Sequence, residues 1–184
     1  MAKQQTEKPQ TEKIKMANVR LSFPSLFQTE VFGGDNTGKY AATFILDKKE
    51  HADVIKQINA QIAAITKDRF KGKALAPDRV CLKDGNDSDR DDYTDKMTIK
   101  AATKKRPLVI NRDKTPLNES DEVIYAGCYV NAIISLWAQD NQFGKRINAS
   151  LDGVQFANNG EPFGSGGIDA EEFDMFESDE ELAF

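Results

Sequence analysis

Residues 122–138 carry two sets of side chains at a period of two. The even positions, Ile124, Ala126, Cys128, Val130, Ala132, Ile134, Leu136 and Ala138, are all apolar. The odd positions from 125 are Tyr125, Gly127, Tyr129, Asn131, Ile133, Ser135 and Trp137. Strand geometry sends these sets to opposite faces. The even set makes a barrel interior of small and larger residues, whereas three polar-tipped aromatics beside Asn and Ser make a half-wet surface. Residues 96–104 divide in the same way, with Met97, Ile99 and Ala101 inward and Lys96, Thr98, Lys100 and Lys104 outward. With Lys105 and Arg106, the segment 96–106 holds five cations and no anion. In residues 145–157, Arg146, Asn148, Ser150 and Asp152 face opposite to Ile147, Ala149 and Leu151, and Lys145 stands at the hairpin end. Arg20 and Lys39 take outward or end positions on the earlier strands.

Cations interleaved with rings on one sheet face suit single-stranded nucleic acid. Phosphates require Lys and Arg, and unstacked bases require flat rings, each base–ring stack contributing about 1–3 kcal/mol. The expected contacts are phosphates on Lys39, Lys96, Lys100, Lys104, Lys105, Arg106, Lys145 and Arg146, with Arg20 on the same face, and bases on Tyr125, Tyr129 and Trp137. Strand propensity and edge protection also explain Tyr and Lys on strands. The alternative for Trp137 is packing against the Gln142–Phe143 hairpin.

The elements that must hold these residues read as mainly β. The stretch IKMANVRLSF from Ile14 keeps a period of two with one slip, which places a β-bulge near Ala17–Asn18. A loop with Phe27, Phe32 and FGGDNTG leads to a second strand, residues 39–46, with Tyr40, Ala42, Phe44 and Leu46 on one face. The one helix expected, about 48–70, has Asp47 and Glu50 in capping-box spacing and a stripe of Val54, Ile55, Ile58, Ile62 and Ile65. Further strands are expected at 96–104, 107–112, 122–139 and 145–157, the last two joined by a hairpin at Asp140–Gly144. Gly153 marks a bulge or a barrel corner. One helix among about six short strands, without βαβ repetition, indicates a small barrel or sandwich.

Between the helix and the cationic strand lies KDGNDSDRDDYTD (83–95), in which Asp87, Asp89 and Asp91 alternate. A calcium loop of the EF-hand type then needs Gly at the sixth position and Glu at the twelfth, and this chain has Asp92 and Thr98. A solvated insertion loop is the better reading. Cys81 and Cys128 form no CxxC pair and stand with a single His, so no structural zinc site is expected, and no cofactor. No apolar run approaches the roughly 18 residues that span a bilayer, and MAKQQTEKPQTEK has no signal-peptide core. A cytoplasmic location follows as the expectation.

Across 184 residues the formal net charge is −5, from 25 Lys+Arg against 30 Asp+Glu. Residues 169–184, DAEEFDMFESDEELAF, hold eight of those acids and no base, so residues 1–168 carry 22 acids against 25 bases. The division is of a mildly basic body and an acidic tail. The segment 158–168, NNGEPFGSGGI, reads as a Gly-rich linker and residues 1–12 as a disordered arm. The DNA-binding domain is expected over 13–157. The tail ends with Asp179, Glu180 and Glu181 close before Phe184, an apolar anchor beside a free carboxylate that suits a basic-rimmed pocket on a partner. It is also an electrostatic mimic of DNA, able to compete for the body's own cations.

The segments NVRLSFPSLF (18–27), FGG (32–34), KYAATFIL (39–46), RPLVINRD (106–113), IYAGCYVNAIISLWAQDN (124–141), GKRINASLDGVQF (144–156) and GEPFGSGG (160–167), in this order, resemble phage-encoded single-stranded DNA-binding proteins, a family first catalogued as a domain of unknown function. The resemblance covers about residues 14–168. It implies a five-stranded Greek-key OB-fold barrel that binds single-stranded DNA in phage replication or recombination. The tail is similar to the Phe-terminated tails of bacterial and podophage single-stranded DNA-binding proteins, which recruit replication partners and compete with DNA; Ala183 stands where the bacterial version has Pro. The helix directly after the second strand departs from the simplest OB order, in which it follows the third.

The expectation is therefore a non-enzymatic protein that coats single-stranded DNA, largely without regard to sequence. Duplex DNA and a homodimer remain open as further partners. An annealing or recombination mediator, and a virion structural β-protein whose Tyr-rich face meets protein, are the alternatives. A nuclease would need Mg²⁺ on the acids of 84–95, which have no paired scaffold carboxylates.

Overall fold

A computed structural model describes residues 12–163; the arm before them and the acidic tail after them lie outside the described residues. Nine strands form among the described residues, and they are numbered in chain order. They are β1 (Ile14–Ser25), the short pair β2 (Val31–Phe32) and β3 (Asp35–Asn36), β4 (Tyr40–Asp47), β5 (Leu82–Asp84), β6 (Lys96–Thr103), β7 (Leu108–Ile110), β8 (Tyr129–Asn141) and β9 (Gly144–Asn158). The helix α1 spans Ala52–Arg69.

Five of these strands close a barrel. The sheet runs β6-β4-β1-β8-β9, and a parallel pairing of β6 with β9, Ala101 opposite Ala149, joins its ends. In order along the chain the barrel strands pair 1-2-3-5-4-1, the OB-fold. β5 and β7 extend the sheet beside β6 and β9. The helix sits between the second and third barrel strands, as its place in the sequence requires.

The period-two pattern builds the interior. Val130, Ala132, Ile134 and Leu136 of β8, Phe44 and Leu46 of β4, and Ile99 and Ala101 of β6 are buried in one cluster with Ile147, Ala149 and Leu151 of β9. Ile58 and Ile65 of α1 join the same cluster, and the helix packs on β1 and β8. Both expected bulges form. The β1–β8 register shifts between Met16 and Val19, where Asn18 has φ 52°, and the side-chain oxygen of Asn131 accepts the freed N–H of Asn18 at 2.9 Å. The β8–β9 register shifts at Ile133–Ile134, opposite Gly153.

Three boundaries differ from the sequence reading. The helix starts at Ala52, not 48, because Asp47 caps a separate turn: its Oδ1 accepts from the N–H groups of Lys49 at 2.8 Å and Glu50 at 3.0 Å. His51 then stands at the N-cap, where Nδ1 accepts from the Asp47 N–H at 2.9 Å. That bond leaves the proton of the neutral ring on Nε2, which reaches the bulge carbonyls of Ala17 and Asn18 at 3.1 and 3.2 Å. The strand expected from 122 starts at Tyr129. Gly127 has φ 105°, and a Cβ there would meet the Glu161 carbonyl at 2.2 Å, so the chain turns although the apolar alternation runs on. Residues 158–163, expected as the start of a loose linker, instead pack on the barrel. Phe163 is buried with Ile45 and Tyr93, and its N–H donates to Ala126 O at 3.2 Å.

Candidate nucleic-acid interface

A groove of about 980 Å³ crosses the outer face of β4, β6 and β9. Its floor follows from the pairing: Thr43 lies opposite Lys100, Ala102 opposite Ser150, and Asn148 opposite Trp137 on the far side. One wall is the β8–β9 hairpin, with Trp137, Gln139, Asn141 and Phe143. The opposite flank carries Phe23 of β1 and Tyr93 of the insertion loop. Lys39, Arg79, Lys83, Lys100, Lys104 and Arg146 line it, against the single carboxylate of Asp78. Six cations facing one acid in a concave site focus a positive potential on whatever enters.

The groove gathers five of the residues singled out in the sequence: Lys39, Lys100, Lys104, Trp137 and Arg146. Trp137 is half-buried on the outer face of β8, paired in register with Asn148. Phe143 at the hairpin tip is 72% exposed. Lys100 is engaged by Glu30, Nζ to Oε1 at 2.6 Å, from the loop that follows β1. The Arg146 guanidinium donates to Asp78 O at 3.4 Å.

The other singled-out residues lie elsewhere or already have partners. Lys96 donates to Asp47 Oδ2 at 2.5 Å. That ammonium, with the N–H groups of Glu50 and Lys49, holds the Asp47 carboxyl well below the usual carboxylate range. Arg20 donates to Gly127 O at 3.2 Å and Glu161 O at 2.6 Å and lies 4.1 Å over the Phe163 ring, so it fastens the segment after β9. The Tyr125 hydroxyl donates to the Gly160 carbonyl at 3.0 Å and accepts the Gly160 N–H at 3.0 Å. The Tyr129 ring lies against Gly160, 2.9 Å from where a Cβ would stand. Lys105 and Arg106 are exposed, Arg106 with its guanidinium 5.8 Å from the Phe27 ring centre, and Lys145 lies 5.8 Å over Phe70. The tail residues Asp179, Glu180, Glu181 and Phe184 lie outside the described residues.

Sequence reasoning missed Arg79, Lys83, Phe23 and Tyr93. Arg79, Lys83 and Tyr93 reach the groove from short turns, a short strand and the insertion loop, where no periodicity assigns a face. Phe23, expected on the same face as Val19 and Leu21 by the period of two, is instead turned outward where the β1–β4 register shifts. Arg79 is fixed by donating to Phe143 O at 3.3 Å, which ties it to the hairpin. The free thiols take no part in this site's charge. Burial pushes Cys81 up to about 11, and burial also raises Cys128.

This arrangement fits comparisons with known proteins. A family model described as the single-stranded DNA-binding protein of Enterobacter phage Enc34 matches residues 12–183. The chain belongs to this family. A family-sized relative, putative protein p50 of Acyrthosiphon pisum secondary endosymbiont phage 1, is 40% identical over 93% of this chain and 99% of its own length. The Enc34 single-stranded DNA-binding protein solved in complex with ssDNA superposes with a TM-score of 0.74 at 34% identity, covering 83% of this chain and 89% of that one. A more distant structure, gp2.5, a single-stranded DNA-binding protein encoded by bacteriophage T7, gives a TM-score of 0.52 at 11% identity over 86% of this chain and 98% of its own. That is a likeness of fold alone. No helix among the described residues is long and apolar enough to cross a membrane.

Proposed function

We propose that the groove is the binding track for single-stranded DNA, and that the protein coats such DNA without chemistry of its own, in the host cytoplasm during phage replication or recombination. The observation that carries this is the meeting of six cations with Trp137 and Phe143 in one concave face between the loops after the first and fourth barrel strands. That is the face and the pair of loops through which OB-folds take oligonucleotides. The Enc34 protein solved with ssDNA lends support as a member of the same family.

In this reading phosphates pair with Lys39, Arg79, Lys83, Lys100, Lys104 and Arg146, and bases stack on Trp137 and Phe143. Lys105, Arg106 and Lys145 add longer-range attraction. Arg20, Lys96, Tyr125 and Tyr129 keep their internal partners. Because each contact is to a phosphate or a ring face, binding is strongly salt-dependent and nearly blind to sequence. Asp179, Glu180, Glu181 and Phe184 recruit replication or recombination proteins, and the tail's acids compete with DNA for the same cations.

Titration of the full-length protein with single-stranded oligonucleotides tests the track. Quenching of the emission of Trp137, the sole tryptophan, is expected at low salt and should reverse on adding salt. Saturating oligonucleotide that leaves the emission unchanged, with Trp137→Ala binding as tightly as the wild type, refutes the stacking. Strand-annealing rates with and without residues 169–184 separate coating from annealing.

A further inference from the structure

Phe23 is the exposed aromatic that the barrel has least reason to carry. It is 58% exposed, beside the fully buried Leu21 and Ser22, and its backbone is left-handed, with φ 46°. A bulky residue rarely adopts that conformation, and the following residue, Pro24, disfavours helical backbone at this position as well. Here the β1–β4 register shifts, between Ser22 and Ser25. The backbone is therefore held against its own preference, and the result is a ring set on the flank of the groove opposite Trp137.

The insertion loop holds that ring. The Arg90 guanidinium lies 4.5 Å over the Phe23 ring centre and 5.2 Å from that of Tyr93. Its Nη2 donates to Asp92 at 2.8 Å, while its Nε is buried without a hydrogen-bond partner, so this arginine is placed for the ring and not for polar saturation. Tyr93 is itself fixed by a buried hydroxyl contact of 2.8 Å with Ser22. One face of Phe23 is thus backed by a cation, and much of the remaining ring is open.

We propose that Phe23 is a further base-stacking platform, beyond Trp137 and Phe143, and that Arg90 is a positioning residue that braces it. The inference rests on the groove being a single-stranded DNA track. It places a ring on the flank of the groove opposite the Trp137 wall, with β4, β6 and β9 between them. The strand would then be gripped by rings at both sides of the cationic floor, and the acidic loop 83–95 would serve as a bracket for one of them.

The test uses full-length protein and a fluorescein-labelled thymidine oligonucleotide read by polarisation. Phe23→Ala is expected to weaken binding by about 5- to 150-fold, the range for losing one base–ring stack, and Phe23→Trp to bind within about three-fold of wild type. Arg90→Met should weaken binding in the native background and cost nothing further in the Phe23→Ala background. Phe23→Ala binding within two-fold of wild type overturns the platform. An equal cost of Arg90→Met in both backgrounds overturns the bracing role. Should Phe23→Ala fail to fold, photo-cross-linking of wild-type protein to 5-iododeoxyuridine DNA decides: an adduct on Phe23 supports the platform, and adducts confined to other residues overturn it. The two readings fail separately. A wild type that binds no oligonucleotide removes the track, whereas one that binds and depends on Trp137 but not Phe23 removes only the platform.

Discussion

At the scale of single residues, the groove cations differ in what they must give up to bind. Lys100 is paired with Glu30 at 2.6 Å and must release it to take a phosphate. Glu30→Gln should therefore tighten single-stranded DNA binding at low salt by about 1.5- to 5-fold, the value of a partly exposed ion pair. A looser or unchanged Kd would show that Lys100 stays with Glu30 in the complex. Trp137→Ala should weaken binding by about 5- to 150-fold. Phe143→Ser should weaken it with no loss of thermal stability, since Phe143 is 72% exposed at a hairpin tip. The thiols give a pH prediction. Burial raises Cys81 to about 11 from an ordinary value near 9, so the folded protein keeps that proton longer than the unfolded chain. Stability from this group is complete below pH 9 and is lost as the pH rises towards 11. Labelling of Cys81 in native protein with a thiol reagent should stay slow at pH 8 and rise steeply above pH 10, and rapid labelling of Cys81 at pH 8 would show that its thiol is not held protonated.

At the scale of elements, the turns decide what the strands can present. His51 links the start of α1 to the β1 bulge through the carbonyls of Ala17 and Asn18. His51→Ala should cost about 0.5–1.5 kcal/mol in a urea unfolding titration, since it removes the ring's acceptor for the part-buried Asp47 N–H and its contact with the exposed bulge carbonyls. A change below a few tenths of a kcal/mol would mean that water replaces the ring. The strands themselves were legible, because a barrel with one wet face imposes period two and the sequence keeps it through Val130–Leu136 and Met97–Ala101. Tyr125 was not legible. Its alternation continues the strand pattern, yet Gly127 turns the chain at φ 105° and the hydroxyl ends on Gly160. Arg79, Lys83 and Phe23 were missed for a related reason: they enter the groove from segments whose facing is set by tertiary contacts. The direct clue to Phe23 was the Phe-Pro step inside an apolar strand, which forces a break in the ladder.

At the scale of the molecule, net charge and local charge point in opposite directions. The chain carries −5 overall, while the groove sets six cations against Asp78. The eight acids of 169–184 account for the difference, and a tail that competes for the groove predicts that its deletion tightens DNA binding at low salt. The effect should shrink as salt rises and screens the tail and the DNA alike. The central claim, that one groove takes the strand through phosphates and rings, is tested most directly by a Trp137 fluorescence titration with a single-stranded oligonucleotide across a salt series. Six phosphate contacts predict that log K falls against log salt with a slope of about −4, together with quenching that saturates. Binding that ignores salt, or that leaves Trp137 emission unchanged at saturation, would contradict it.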